Sequence, residues 1–153
     1  MNSLTIFAAS YLIYILALVW VASLLLIPKA KRKMYLAFLI LAFGLAIVGD
    51  KLLGMLYNNP RPFVVEGIAP LIKHAADNGF PSEHTLFSMI FAASAFTYNK
   101  KLGIALAIGS VIVGFARVLA HVHHTIDIFG SIVLALGVTY LAWILVKKYF
   151  RKI

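Results

Sequence analysis

The chain has no cysteine, and only five of its residues are acidic against fourteen lysines and arginines. Without cysteine there is neither a disulfide framework nor a thiolate metal site. Charged residues make up only 12% of the 153, while 63% are hydrophobic and the mean hydropathy is +0.97. That balance excludes an ordinary soluble domain. It points to an all-α integral membrane protein, because apolar runs of about 18 or more residues match a hydrocarbon core of roughly 30 Å. The net charge of +9 would suggest nucleic acid in a soluble protein. Here the basic residues cluster in short runs between apolar stretches, where they set topology, so no nucleic-acid partner is expected.

The apolar pattern predicts one domain over residues 1–153, a bundle of about five transmembrane helices. They run from Leu4 to Ile27, Met34 to Tyr57, Ser82 to about Tyr98, Leu102 to Leu119 and Thr125 to Val146. The first apolar stretch has no basic residue before it and runs into a basic loop, so it reads as a retained span and not a cleaved signal. Lys29, Lys31, Arg32, Lys33, Lys100, Lys101, Lys147, Lys148, Arg151 and Lys152 all fall on one face of such a bundle. The positive-inside rule makes that face cytoplasmic, with the N-terminus outside and the C-terminus cytoplasmic. The opposite face collects Asp50, Glu66, Asp77, Glu83 and Asp127, which are all the acids. It also collects all five histidines, together with Arg61, Lys73 and Arg117. The 24-residue connection from Asn58 to Pro81 is long and moderately apolar, and is expected to lie over the helix ends.

Three clusters carry the chemistry on that face. In NNPRPFV, prolines on both sides of Arg61 stiffen the backbone around a guanidinium suited to bidentate grip on phosphate. A snorkelling interfacial arginine is the plainer alternative. In FPSEHT, Ser82 is placed to cap a helix whose unpaired N–H groups can bind an anion, and His84 can carry a proton there. Glu83 is discordant in an anion pocket; it either faces away or contacts an arginine. In ARVLAHVHHTID, Asp127 follows His123 by four residues, a helical spacing that puts both on one face. A carboxylate on one ring nitrogen leaves the other free as nucleophile or base. A metal site from His121, His123 and His124 competes with this reading, but no further ligands are evident and no metal or other cofactor is expected. Two arginines, a helix start and two histidines together suit covalent phosphoryl transfer with a general acid.

The series PRP, PSEH and AR-x5-H-x3-D resembles the three signature motifs of the type 2 phosphatidic acid phosphatase superfamily, K-x6-R-P, P-S-G-H and S-R-x5-H-x3-D. The stretch LIKHAADNGFPSEHT, with PRPFV upstream, is similar to its bacterial undecaprenyl-diphosphate phosphatase branch, the bacitracin-resistance type. The resemblance implies hydrolysis of undecaprenyl diphosphate to undecaprenyl phosphate, recycling a cell-wall lipid carrier at the outer side of a bacterial plasma membrane. A polyprenyl or other phospholipid phosphate would be the partner, and another lipid phosphate, such as phosphatidylglycerophosphate or phosphatidic acid, is the alternative substrate. It also implies that His123 attacks phosphorus, Asp127 orients it, and His84 protonates the leaving oxygen and then activates water. Arg61, Ser82 and Arg117 would hold the phosphoryl oxygens without metal. Three positions depart from the pattern: the first-motif lysine falls at Gly54, with Lys51 one turn earlier; Glu83 replaces glycine; Ala116 replaces serine. Lys51, next to Asp50 inside a span, reads equally as a substrate contact or as a partner for another helix. Superfamily members usually have six spans, and five are legible here.

Overall fold

In the computed structural model, residues 2–151 are described; Lys152, one of the ten basic residues above, lies outside them. Among the described residues there are helices and turns and no strand, as expected of a bilayer-spanning chain that must satisfy its backbone internally. The helices are α1 (Asn2–Ser10), α2 (Leu12–Ser23), α3 (Arg32–Leu56), α4 (Pro62–Val65), α5 (Glu83–Phe96), α6 (Lys100–Leu119) and α7 (Thr125–Phe150).

Among the described residues three segments are long and apolar enough to cross a membrane, Lys29–Leu56, Lys100–Leu119 and Thr125–Phe150. The first expected span is broken instead of continuous: Asn2–Ser10 and Leu12–Leu26 meet at a bend of 43°, and the pair makes a fourth crossing if taken as one. The third expected span is shorter than the sequence suggests. The 14 residues of α5 rise only about 21 Å. A helix can be that short because it meets little lipid: nine of its residues are buried, and α2, α3, α6 and α7 pack around it. Its apolar residues are spread round the helix for the same reason.

Small and hydroxylated residues hold this centre together, as in bilayers where tails compete equally for apolar surface. Trp20 Nε1 donates to Ser94 Oγ at 2.9 Å and the Tyr35 hydroxyl donates to the Ser94 carbonyl at 2.8 Å. Ser88 and Ser110 hydroxyls meet at 2.7 Å between α5 and α6. Gly114 on α6 allows a close approach of three helices: a Cβ there would stand 2.5 Å from Ile128 Cγ2 and 3.0 Å from Thr85 Oγ1. The 58–81 connection does fold over the helix ends at one end of the bundle. Phe63, Leu71 and Ile72 pack against a small cluster of Ala8, Ala9, Ala116, Ala120 and Val122, and Leu71 N–H donates to the Ala120 carbonyl at 3.1 Å.

Candidate functional site

Two turns bring the chemistry together. At the end of α6 the His121 amide donates to Val118 O at 2.9 Å and the Val122 amide to Arg117 O at 3.2 Å. This is the paired bonding of a Schellman stop. Its αL position is filled by His121, at φ 58°, where glycine is usual. The turn throws His123 back beneath Arg117. The other turn is pinned by Asn78. Its Oδ1 accepts from the amides of Asn59 (2.9 Å) and Phe80 (3.0 Å), and its Nδ2 donates to the carbonyls of Gly54 (2.9 Å) and Tyr57 (3.0 Å). All four hydrogen-bonding positions of one side chain thus tie the end of α3 to the approach to α5.

His123 is the centre of the arrangement, 3% exposed. Its Nδ1 lies 2.9 Å from the Gly79 carbonyl and 3.3 Å from Asp127 Oδ2. A carbonyl can only accept, so Nδ1 carries the proton and Nε2 presents its lone pair. Around Nε2 stand Arg61 Nη1 at 3.2 Å and Arg117 Nη2 at 3.4 Å. Asp127 is fully buried and accepts from three directions: Asn59 Nδ2 at 2.7 Å, the His124 amide at 2.8 Å, and His123. The contact between His123 and Asp127 is not the same-face helical pairing that the spacing predicts. His123 precedes α7, His124 is its N-cap, and Asp127 closes a capping box in the first turn.

Arg61 is 5% exposed and held on four sides. Its Nε donates to Asp77 Oδ1 at 2.7 Å, Nη1 to the Val122 carbonyl at 2.7 Å, and Nη2 to the Asn78 carbonyl at 3.4 Å, besides the approach to His123. That is a fixed guanidinium and not a snorkelling one. Arg117 donates through Nη1 to the Ala9 carbonyl at 3.3 Å, while its Nε is buried with no hydrogen-bond partner. Both arginines and His123 border a cavity of about 330 Å³, whose wall also includes His84, His74, Lys51, Asp50 and Glu83. Lys51 and Glu83 therefore both reach the cavity. Ser82 does not border it. Its hydroxyl makes no capping bond to α5, the role its position suggests. It is fully buried, with its amide donating to Ser131 Oγ at 2.7 Å and its Oγ accepting from Thr85 Oγ1 at 3.3 Å.

Burial, with the charges of Arg117 and Arg61, pushes His123 down to about 4 despite the opposing pull of Asp127. His74 is lowered by burial and by the same two arginines. Asp77 is pushed up by burial, but its hydrogen bond and ion pair with Arg61 outweigh that and hold it below the usual carboxylate range. The basic cavity thus disfavours the charged form of both His123 and His74.

Sequence reasoning missed several members of this site. Asn59 supports Asp127, Asp77 supports Arg61, and the His74 ring meets the His123 ring edge-on at 6.1 Å. Asn59 carried a legible signal in the Asn58-Asn59-Pro60 breaker beside Arg61. The Gly79 carbonyl carried none, since a backbone acceptor has no residue type. His124 Nε2 donates to the Pro60 carbonyl at 3.1 Å and its ring caps α7, so it is engaged in structure. No three His, Asp or Glu side chains among the described residues are grouped as metal ligands would be.

The chain is similar to known proteins over most of its length. The PAP2 superfamily model matches residues 34–151. Undecaprenyl-diphosphatase BcrC of Bacillus subtilis (strain 168) is 33% identical over 141 residues, which is 92% of this chain and 72% of that protein. The Bacitracin transport permease protein BcrC of Bacillus licheniformis is 30% identical over 152 residues, covering 98% and 74% of the two chains. Among solved structures, Aquifex aeolicus LpxE superposes with a TM-score of 0.74 at 24% identity, covering 93% of this chain and 86% of that one. A transmembrane PAP2 type phosphatidylglycerolphosphate phosphatase from Bacillus subtilis superposes with a TM-score of 0.62 at 26% identity, covering 100% and 76%. A helical membrane bundle, a histidine flanked by two arginines and a family match over most of the length lead to one statement: the chain belongs to the PAP2 superfamily and is a membrane phosphatase, a phosphoric-ester hydrolase.

Proposed function

We propose that this protein, acting as one unit over residues 1–153, hydrolyses undecaprenyl diphosphate to undecaprenyl phosphate and inorganic phosphate. The observation that carries the chemistry is the unprotonated Nε2 of His123, held between two guanidiniums at 3.2 and 3.4 Å on the cavity wall. The support for the diphosphate substrate is the likeness to the Bacillus subtilis undecaprenyl-diphosphatase over 92% of the chain.

In the first step Nε2 bonds to the terminal phosphorus and the bridging P–O bond breaks. His84 gives its proton to the departing lipid phosphate. The Nδ1 proton stays between Gly79 and Asp127, where the carboxylate stabilises the positive phosphohistidine. In the second step His84 takes a proton from water, water oxygen bonds to phosphorus, and the N–P bond breaks. Arg61 and Arg117 hold the non-bridging oxygens, and the unpartnered Nε of Arg117 is a donor ready for one of them. Ser82 has only its hydroxyl proton left to offer, from behind the wall. Lys51, on the same cavity wall, takes the second phosphate of the substrate. No metal enters these steps. The site faces outward, opposite the basic loops.

A panel of lipid phosphates and diphosphates given to purified protein in EDTA tests this. The expected result is the highest kcat/KM on the polyprenyl diphosphate and an acid-labile phosphoenzyme mapping to His123, absent from His123→Ala. Faster turnover of phosphatidylglycerophosphate would overturn the substrate. Normal turnover by His123→Ala, or activity restored only by Mg²⁺, would overturn the mechanism. For orientation, a cysteine at Asn78 should react with an impermeant thiol reagent in intact cells and one at Asn99 should not.

A further inference from the structure

The end of the bundle opposite the site carries a pair of adjoining cavities that the reaction does not use. Helices α6 and α7 both pack on α5 but scarcely on each other, so a groove opens between them with α5 as its floor. It has a volume of about 560 Å³, within the range of about 300–1,000 Å³ usual for ligand sites. Ala92, Ala93, Gly103 and Ala107 keep it open. Ile104 and Tyr140 form a rim that faces outward, being 52% and 69% exposed. The groove is almost wholly apolar and ends at Trp143. That same ring borders the next cavity, of about 400 Å³, whose wall is Lys147, Lys148 and Arg151 with Ile144. Lys147 Nζ stands 5.9 Å from the Trp143 ring centre. Lys100 and Lys101 begin α6 at this same end, and no acidic residue of the chain lies in α6, in the turn before it or in the last three turns of α7.

An apolar trough running into a uniformly basic mouth complements a molecule with an apolar chain and an anionic head. We propose that this α6–α7 groove binds an anionic phospholipid, with one acyl chain along the trough past Trp143 and its phosphate against Lys147, Lys148 and Arg151. Basic pockets between membrane helices recognise anionic headgroups in this way. A zwitterionic lipid fills the trough equally well but gains nothing from the mouth. Each basic side chain is worth about a fivefold change in affinity, so the three together should favour an anionic lipid by roughly a hundredfold.

Trp143 supplies the readout, since the only other tryptophan, Trp20, is on α2 and does not line the groove. Full-length protein in nanodiscs is titrated with phosphatidylglycerol or phosphatidylcholine carrying brominated acyl chains, and fluorescence quenching is measured. Phosphatidylglycerol should quench at a far lower mole fraction than phosphatidylcholine, and Trp143→Phe should abolish that preference. The triple variant Lys147→Ala, Lys148→Ala, Arg151→Ala should also lose it while keeping wild-type phosphatase activity, which shows that it is folded. Ala107→Phe, which fills the trough but leaves every charge, should lose it too. Equal quenching by the two lipids overturns the proposal. So does a preference that survives Ala107→Phe, because the lipid is then gathered by the basic surface alone. A change from dimer to monomer in Ala107→Phe would show a second copy in the groove and would equally overturn it.

Discussion

Replacing Asp127 by asparagine distinguishes two ways of fixing a catalytic histidine. Where a carboxylate alone sets the tautomer, its loss allows the imidazole to turn and costs about 10⁴ in rate. Here the Gly79 carbonyl, at 2.9 Å, is nearer to His123 Nδ1 than the carboxylate at 3.3 Å, and it accepts the same proton. Asparagine can keep its oxygen toward His123 and the His124 amide, and its new NH₂ toward Asn59, whose own amide can turn to present oxygen. The bonding then survives and only the charge is lost. A hydrogen bond to a charged group is worth about 1.5–3 kcal/mol and a neutral one about 0.5–1.5 kcal/mol, so the difference is near tenfold in rate. The positive charge of the proposed phosphohistidine raises that further, to about a hundredfold at most. Asp127→Asn should therefore retain about 1–10% of wild-type kcat in a detergent assay of phosphate release, at nearly unchanged Tm. Asp127→Ala, which strands the Asn59 and His124 donors, should also lose about 2–5 kcal/mol of stability. A loss of 10⁴ in the asparagine variant would refute the claim that Gly79 holds the tautomer.

Three other outcomes follow from the site. His121→Gly relieves a left-handed histidine at φ 58° and should stabilise the protein by about 1 kcal/mol without changing activity; loss of turnover would instead give that ring a direct role. Since His123 sits near 4 when folded and about 6.5 when unfolded, the unfolded chain binds the extra proton between those values. Stability should fall as pH drops from about 6.5 to 4.5, by on the order of 2 kcal/mol more in wild type than in His123→Asn, and melting curves across that range that coincide would contradict the buried neutral ring. Arg61→Lys keeps charge but cannot reproduce contacts to Asp77, Val122 and Asn78 at once, so kcat/KM should drop by about 10²-fold or more; a drop under fivefold would mean that the fork is dispensable.

The contrast between α5 and α3 shows how far the sequence could be read. Hydropathy located both, and set the ends of α3 to within two residues, because its flanks carry lysines on one side and Asn58-Asn59-Pro60 on the other. It overestimated α5, since the same apolar composition serves a lipid-facing helix and one buried by four neighbours. The break at Tyr11 was invisible, as neither proline nor glycine marks it. Within the site, Arg61, Arg117, His84, His123 and Asp127 were legible because their spacings match a motif, and they do converge. Ser82 matched the motif as well, yet its position behind the wall depends on Ser131 and Thr85, forty-nine residues away and three residues away in sequence. The long-range supports, Asn59 on Asp127 and Asp77 on Arg61, required the path of the 58–81 connection, which composition does not specify.

The length of α5 has a consequence for where hydrolysis takes place. Its neighbours α3 and α7 have 25 and 26 residues, and so rise about 38 Å, nearly twice the 21 Å of α5. At the site end this leaves a well: Ser82, just before α5, meets Ser131, six residues past the start of α7, and His84 shares the cavity wall there with the two arginines and His123. A lipid headgroup can enter such a well sideways with its tail still among other tails, so no extraction from the bilayer is needed. Water, by contrast, must descend to reach the phosphorus. In the two-step reaction proposed above, the step that consumes water is then the one that the depth of the well controls.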